Sequence, residues 1–354
     1  MPIHFDAERM ETVKQNHELW WRGELDRPLV SVVITDSYPM DHEPAAPILS
    51  QENCADLSWS AEAVIDALEA DMSQTEFLAD SFPFVNLSSF GPGSLAAMCG
   101  AKLDNRTGNV WFFPPEEKEI QDIHIRYDPD NVWVKRIKDI YQAGLQKWEG
   151  NVIMGMPDLG GILDVVSTFC HNENLLISLL EAPEEVKRLI QEAHTAWYQA
   201  YNDFSEVLRP QNAWTDWSGV LSRTPSYIIQ CDFCYMISNP MFREFVLDTL
   251  REDTQRLDHT IYHLDGIGQL RHMDDVLSLP GLNAFQWAYG AGQPGPMHWL
   301  EVYRKVQRSG KQLMLTGGAL DFLEVIEQIH GSPYMPFWFS KDERELAERI
   351  IQAR

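Results

Sequence analysis

The stretch Thr260-Ile261-Tyr262-His263-Leu264-Asp265-Gly266 decides how the rest of the chain is read. β-Branched and aromatic residues lead into alternating polar and apolar positions, and a glycine closes the run, as in a short strand feeding a tight turn. Residues two apart in a strand share a face, so the side chains of His263 and Asp265 point to one place. Working outward, similar runs recur at 29–35, 84–90, 152–156, 213–217, 284–287, 312–316 and 334–339. With 260–264 they make eight, mostly bounded by Gly, Pro, Asp or Asn.

Helices are expected between them. Pro183-Glu184-Glu185 opens one, with proline in the first turn and acids at the positive end of the dipole. Its apolar stripe runs Val186, Leu189, Ile190, Ala193, Trp197, Tyr201, Phe204. Another follows Ser238-Asn239-Pro240, with Phe242, Phe245, Val246 and Leu250 on one face, and the last begins at a capping box, Ser340-Lys341-Asp342-Glu343. Eight strands alternating with helices over 354 residues predict an α/β fold, a (β/α)8 TIM barrel. Residues 1–80 are expected to form an N-terminal helical extension capping a barrel of residues 81–354, the whole being one structural domain.

Composition narrows the partners. Lys plus Arg is 28 and Asp plus Glu is 53, a formal charge of −25, which opposes nucleic-acid backbones and anionic membrane surfaces alike. The five cysteines are odd in number and scattered, unlike a secreted disulfide framework. No basic segment followed by an apolar stretch marks the start, and the longest dense apolar run, 29–34, is too short to span a bilayer. A cytoplasmic, acidic protein acting on a small molecule is expected, with a homodimer left open.

In a barrel, function belongs where strands end. The strand ends read Asn86-Leu87-Ser88-Ser89-Phe90-Gly91, Met156-Pro157-Asp158-Leu159-Gly160-Gly161, Thr215-Asp216-Trp217-Ser218-Gly219, Gln286-Trp287-Ala288-Tyr289-Gly290 and Thr316-Gly317-Gly318-Ala319-Leu320-Asp321. Each glycine is either a turn or a point where backbone approaches a ligand. No phosphate loop, dinucleotide fingerprint, Gly-x-Ser-x-Gly elbow or His-Glu-x-x-His helix is present.

These strand ends resemble the uroporphyrinogen decarboxylase superfamily, which also contains cobalamin-linked methyltransferases, over residues 80–353. The family's Asp-Ser-Trp-Ala-Gly element resembles Thr215-Asp216-Trp217-Ser218-Gly219. Its Met-Ser-Pro-Glu-Phe helix start resembles Met236-Ile237-Ser238-Asn239-Pro240-Met241-Phe242, and its Gly-Asn-Leu-Asp turn resembles Gly318-Ala319-Leu320-Asp321. The arginine-rich signature with which porphyrinogen decarboxylases hold substrate carboxylates is missing: the first strand reads Val32-Val33-Ile34-Thr35-Asp36-Ser37-Tyr38. Asn86 stands near the place of their second-strand carboxylate. Porphyrinogen decarboxylation is therefore not expected. The methyltransferase branch holds zinc with His-x-Cys and a further cysteine after the last strand. Here the first element is His263-Leu264-Asp265, and Phe337-Trp338-Phe339 offers no cysteine.

His263, Asp265 and Asp232 are the catalytic candidates. A carboxylate beside an imidazole raises its basicity and fixes its tautomer, although a structural His–Asp pair would look the same. Asp232, between two cysteines and a phenylalanine, could move a proton or bind an ammonium; its alternative is a turn residue. His263 and Asp265, with the Cys231-x-x-Cys234 pair, are the metal candidates, zinc being the ion the resemblance implies. Asp164 is read as a helix start. Asn86, Trp111, Asp216, Trp217, Gln286, Trp287, Tyr289 and Gly318 are expected to shape a substrate pocket, the aromatics suiting a planar ligand or a quaternary ammonium.

The leading expectation is a methyltransferase-like enzyme that moves a methyl group between a small substrate and a corrinoid or folate carrier, with a corrinoid protein as a further partner. The alternatives are a non-porphyrin decarboxylase or lyase, revealed by carbon dioxide release, and an inactive barrel that only binds its ligand.

Overall fold

The computed structural model describes residues 2–354. Its strands are β1 (Leu29–Thr35), β2 (Glu76–Ala79), β3 (Phe84–Val85), β4 (Lys102–Asp104), β5 (Trp111–Phe113), β6 (Ile153–Met154), β7 (Ser226–Gln230), β8 (His259–Asp265), β9 (Ala284–Ala288), β10 (Gln312–Met314) and β11 (Tyr334–Ser340). Seven form one sheet in the order β2-β1-β11-β10-β9-β8-β7, parallel throughout except for the antiparallel β1–β2 pair. The short parallel pair β3–β6 stands apart, as does the antiparallel hairpin β4–β5. The molecule is thus an α/β fold with a mainly parallel central sheet. Among the described residues no continuous ladder closes that sheet into a cylinder.

Between β6 and β7 the ladder is replaced by isolated contacts. Met156 donates its N–H to the Thr215 carbonyl (2.8 Å), and the Ile228 N–H donates to the Asp216 carboxylate (2.8 Å). Residues 213–217, expected as a strand, form only a bridge from Trp214 to Ser222. The strand that follows, β7 at the edge of the large sheet, is one the sequence reading passed over.

Alternation sorts the strand residues. Leu29, Ile228, Ile261, Ala284, Met314 and Tyr334, from β1, β7, β8, β9, β10 and β11, gather in one buried cluster with Trp20 and Trp21. Six strands therefore send side chains to a common centre, and helix Ala7–Trp21 seals it from below. Asp6 caps that helix by accepting the Arg9 N–H (2.8 Å). Val30, Val32 and Ile34, the alternate residues of β1, enter the largest core cluster, together with Ile350 of helix Arg344–Ala353. Helix Pro183–Leu208 forms as the sequence predicted, and the capping box at Ser340 and Glu343 is made. The helix after Ser238 breaks in two, Asn239–Phe245 and Leu247–Arg256. Among the described residues no helix is long and apolar enough to cross a membrane.

Trp20 is fully buried and donates its indole N–H to the Ser332 carbonyl (2.6 Å). Trp20→Ala should cost about 3–5 kcal/mol, seen as a lower urea midpoint with unchanged slope. A loss below about 1 kcal/mol would show that the helix is peripheral.

Candidate active site

The sequence around β8 folds as its alternation demands. His263 and Asp265 follow Ile261 at intervals of two, and Ile261 belongs to the central cluster, so both side chains face inward above it. The register pairs His263 with Gln230 on β7 and with Gln286 on β9, which gives the mouth of the sheet a row of three polar side chains. His263 Nδ1 is bonded to the Gln286 amide oxygen. That oxygen only accepts, so Nδ1 carries the proton and Nε2 keeps its lone pair. Burial lowers the pKa of His263, against the upward pull of Gln286 and Asp265, and favours the neutral ring. Trp217 meets the imidazole edge-on, with centroids 5.1 Å apart.

Asp232 arrives from the next strand. It is the first residue of the 3-10 turn Asp232–Met236 that follows β7. Two backbone donors fix this turn: the N–H groups of Asp232 (3.0 Å) and Phe233 (2.7 Å) both donate to the Asp164 carboxylate. Asp164 lies in the first turn of helix Ile162–Cys170, as read from the sequence, and also holds the segment that carries Asp232. Gly161 lets the two meet, because a Cβ there would collide with the Gln230 carbonyl oxygen. One oxygen from each of Asp232 and Asp265 and one ring nitrogen of His263 lie within 4.8 Å of one another.

That donor set suits a divalent ion. Zinc accepts imidazole nitrogen and carboxylate oxygen at about 2.0–2.2 Å, and catalytic sites use three protein ligands with an open fourth position. Gln286 supplies the outer contact that fixes the tautomer of a metal-binding imidazole. The cysteine sulfurs do not join this group. Cys231 and Cys234 are buried and contact each other (Sγ–Sγ 2.6 Å), so the donors that converge here are a nitrogen and two carboxylates.

The other expected residues disperse. Gln286 is in the site, whereas Trp287, its neighbour on β9, is fully buried on the opposite face and packs edge-on against Trp299. Tyr289 stacks on Trp299 farther out. The Gly318 N–H donates to Asp321 (3.0 Å) as the cap of helix Ala319–Ile326. Asp216 is buried, with its carboxylate spent on the Ser218 and Ile228 N–H groups. Trp111 is 60% exposed on the β4–β5 hairpin. Asn86 lines a separate cavity of about 300 Å³ with Thr35, Asp71 and Trp338. A cavity of about 350 Å³ has Asp232, Asp164 and Gln230 in its wall. Sequence reasoning missed Gln230 because it missed β7. The run Tyr227-Ile228-Ile229 after Pro225 was the available signal.

The site is electrostatically uncompensated. Desolvation raises Asp158 and Asp216 to about 6, and among the described residues no Lys or Arg stands close enough to offset them or Asp164 and Asp232. Asp232 reaches solvent at the mouth, yet protein crowds its carboxyl. Desolvation first, then Asp164, Asp265 and Asp158, push it up to about 8. Such a carboxyl gives up its proton more readily in the unfolded chain, where its value is 3.8. The contribution of this one carboxyl to stability is therefore fully present below that value and is lost as pH rises toward about 8. Asp232→Asn should melt progressively higher than the wild type as pH increases through this window, and zinc should narrow the gap by stabilising the wild type alone. A melting difference independent of pH would contradict this electrostatic account.

No protein-family model matches the chain, and no curated protein matches it. Among solved structures the chain is similar to a methyltransferase from Methanosarcina mazei, with a TM-score of 0.62 and 12% identity over 96% of this chain and 97% of that one. At that identity the likeness is one of fold, and it runs nearly the full length of both molecules.

Proposed function

We propose that this protein is a methyltransferase of the uroporphyrinogen decarboxylase-like superfamily, moving a methyl group between a small substrate and a corrinoid or folate carrier. In this reading the strands act as a (β/α)8 barrel that includes β3 and β6, and residues 1–80 serve as its cap. The observation that carries the proposal is the convergence of His263, Asp265 and Asp232 at the mouth of the sheet. The fold likeness to a methyltransferase supports it.

Asp232, His263 and Asp265 would hold a zinc ion, which when bound acts as a Lewis acid that makes an attacking group more nucleophilic at neutral pH. The chain does the positioning. Gln286 keeps the proton on Nδ1 of His263 and presents Nε2, Asp164 fixes the turn that delivers Asp232, and the edge of Trp217 limits how the imidazole rotates. A corrinoid protein would dock at this mouth.

A second reading is favoured by one observation, the elevated pKa of Asp232 beside a neutral imidazole. In it Asp232 donates a proton and His263 accepts one, in a decarboxylase or lyase acting on a small acid. Carbon dioxide release separates the two.

Cobalt(II) substituted for zinc should give visible absorption bands with the wild type and none with His263→Ala. Gln286→Leu should weaken metal binding by about 10–100-fold. Methylated corrinoid offered with candidate acceptors should be demethylated by the loaded wild type only. Cobalt binding unaffected by His263→Ala would defeat the proposal.

A further inference from the structure

On the face opposite the mouth, where β9, β10 and β11 begin, lies a cavity of about 600 Å³. The end of helix Ala7–Trp21 and the segments leading into those three strands form its wall. Asp and Glu number 53 in the chain, yet none of them lines this cavity, whereas Arg22, Lys311 and His330 do. In a protein of formal charge −25, such a recess reverses the sign of the surrounding surface.

Lys311 supplies the charge. Among the described residues its ammonium meets no carboxylate; it donates to the carbonyls of Leu279 (3.0 Å) and Pro280 (3.5 Å), just past helix Met273–Leu277. An ammonium carries three N–H donors, so one is left over. Burial lowers its pKa, and no acidic neighbour pulls it back up. Arg22, on the rim, is already paired with Glu24 (2.9 Å). The backbone adds further donors: among the described residues the N–H groups of His330, Gly331 and Ser332 find no acceptor. The Gln307 side chain takes the His330 carbonyl, so the Gly331 N–H, on the other edge of the same peptide plane, faces away from it. Gly331 has φ of 76°, the left-handed conformation with which successive N–H groups build an anion-binding concavity. The Gln312 carboxamide and the Asn283 amide nitrogen, also in the wall, have no protein partner either.

We propose that this cavity binds a small organic phosphate, whose oxygens meet Lys311 and the N–H groups of residues 330–332. Charge-assisted bonds to the lysine are the strong ones, and Gln312 and Asn283 supply neutral donors beside it. A bare phosphate ion fills only a small part of about 600 Å³, and Trp21, Pro280 and Pro333 offer apolar surface to an organic group. With no carboxylate in the wall, a cation has nothing to hold it. His263 and Asp265 lie at the other end of the strands, so this site stands or falls apart from the methyl-transfer reading.

Calorimetric titration of the full chain tests it with three probes: phenyl phosphate, inorganic phosphate and phenol. Phenyl phosphate should bind at least about tenfold more tightly than inorganic phosphate, and less tightly as salt is added, while phenol should not bind. Lys311→Gln should weaken phenyl phosphate by about tenfold, and Lys311→Arg should restore most of the loss. Gln312→Glu leaves the Lys311 contacts in place and sets a negative charge in the wall; it should weaken binding by at least about tenfold, and it serves if Lys311→Gln melts early. His263→Ala, which removes the metal candidate at the mouth, should change nothing. No binding of phenyl phosphate, binding indifferent to both Lys311→Gln and Gln312→Glu, or binding lost in His263→Ala overturns the proposal. Equal affinity for phenyl phosphate and inorganic phosphate overturns the assignment of an organic ligand.

Discussion

The parallel register that sets Gln230 beside His263, and His263 beside Gln286, is the constraint on which the site depends. It places three polar side chains in a row above a floor of Ile228, Ile261 and Ala284, in a layer that a sliding of one residue would turn outward. The floor is in turn closed by Trp20 and Trp21, so the polar row is desolvated from beneath and open above. His263 becomes a neutral base or ligand through this arrangement. The low-dielectric floor disfavours its charged form, while Gln286 chooses which nitrogen remains free.

Around that row the fold accumulates carboxylates rather than the cations that would neutralise them. Asp164 and Asp216 are used in construction, each receiving two backbone N–H groups where ordinary strand ladders are interrupted. Asp232 and Asp265 are left facing the mouth. The uncompensated charge destabilises the free protein and would be relieved by a bound cation, which would link the stability of the fold to occupancy of the site. A surplus of 25 negative charges over the whole chain acts in the same direction, raising the local concentration of positively charged ligands.

Much of this was legible in the sequence where a period of two could be read. His263 and Asp265 were recognisable as partners because Leu264 between them had to face the other way. The same rule separates Gln286 from Trp287: adjacent strand residues cannot both line one pocket, and the tryptophan lies on the helix-facing side. Asp232 was identifiable as a candidate, but not its anchoring by Asp164, which joins segments 68 residues apart. β7 carries the stronger local pattern, Tyr227-Ile228-Ile229, but it follows so closely on 213–217 that only one strand is read there. The backbone groups of 213–217 are partly satisfied by the Trp214–Ser222 bridge and do not enter the ladder. Gln230 was lost with β7. The cysteine pair suggested a metal through its spacing, and its sulfurs meet each other instead.

The account rests on the protonation state of one imidazole, which nitrogen NMR of the His263 ring reports directly. Near neutral pH the ring should be uncharged, with the proton on Nδ1 and an Nε2 resonance typical of a bare nitrogen that moves when zinc is added. A proton on Nε2, a charged ring, or an Nε2 signal indifferent to zinc would contradict it.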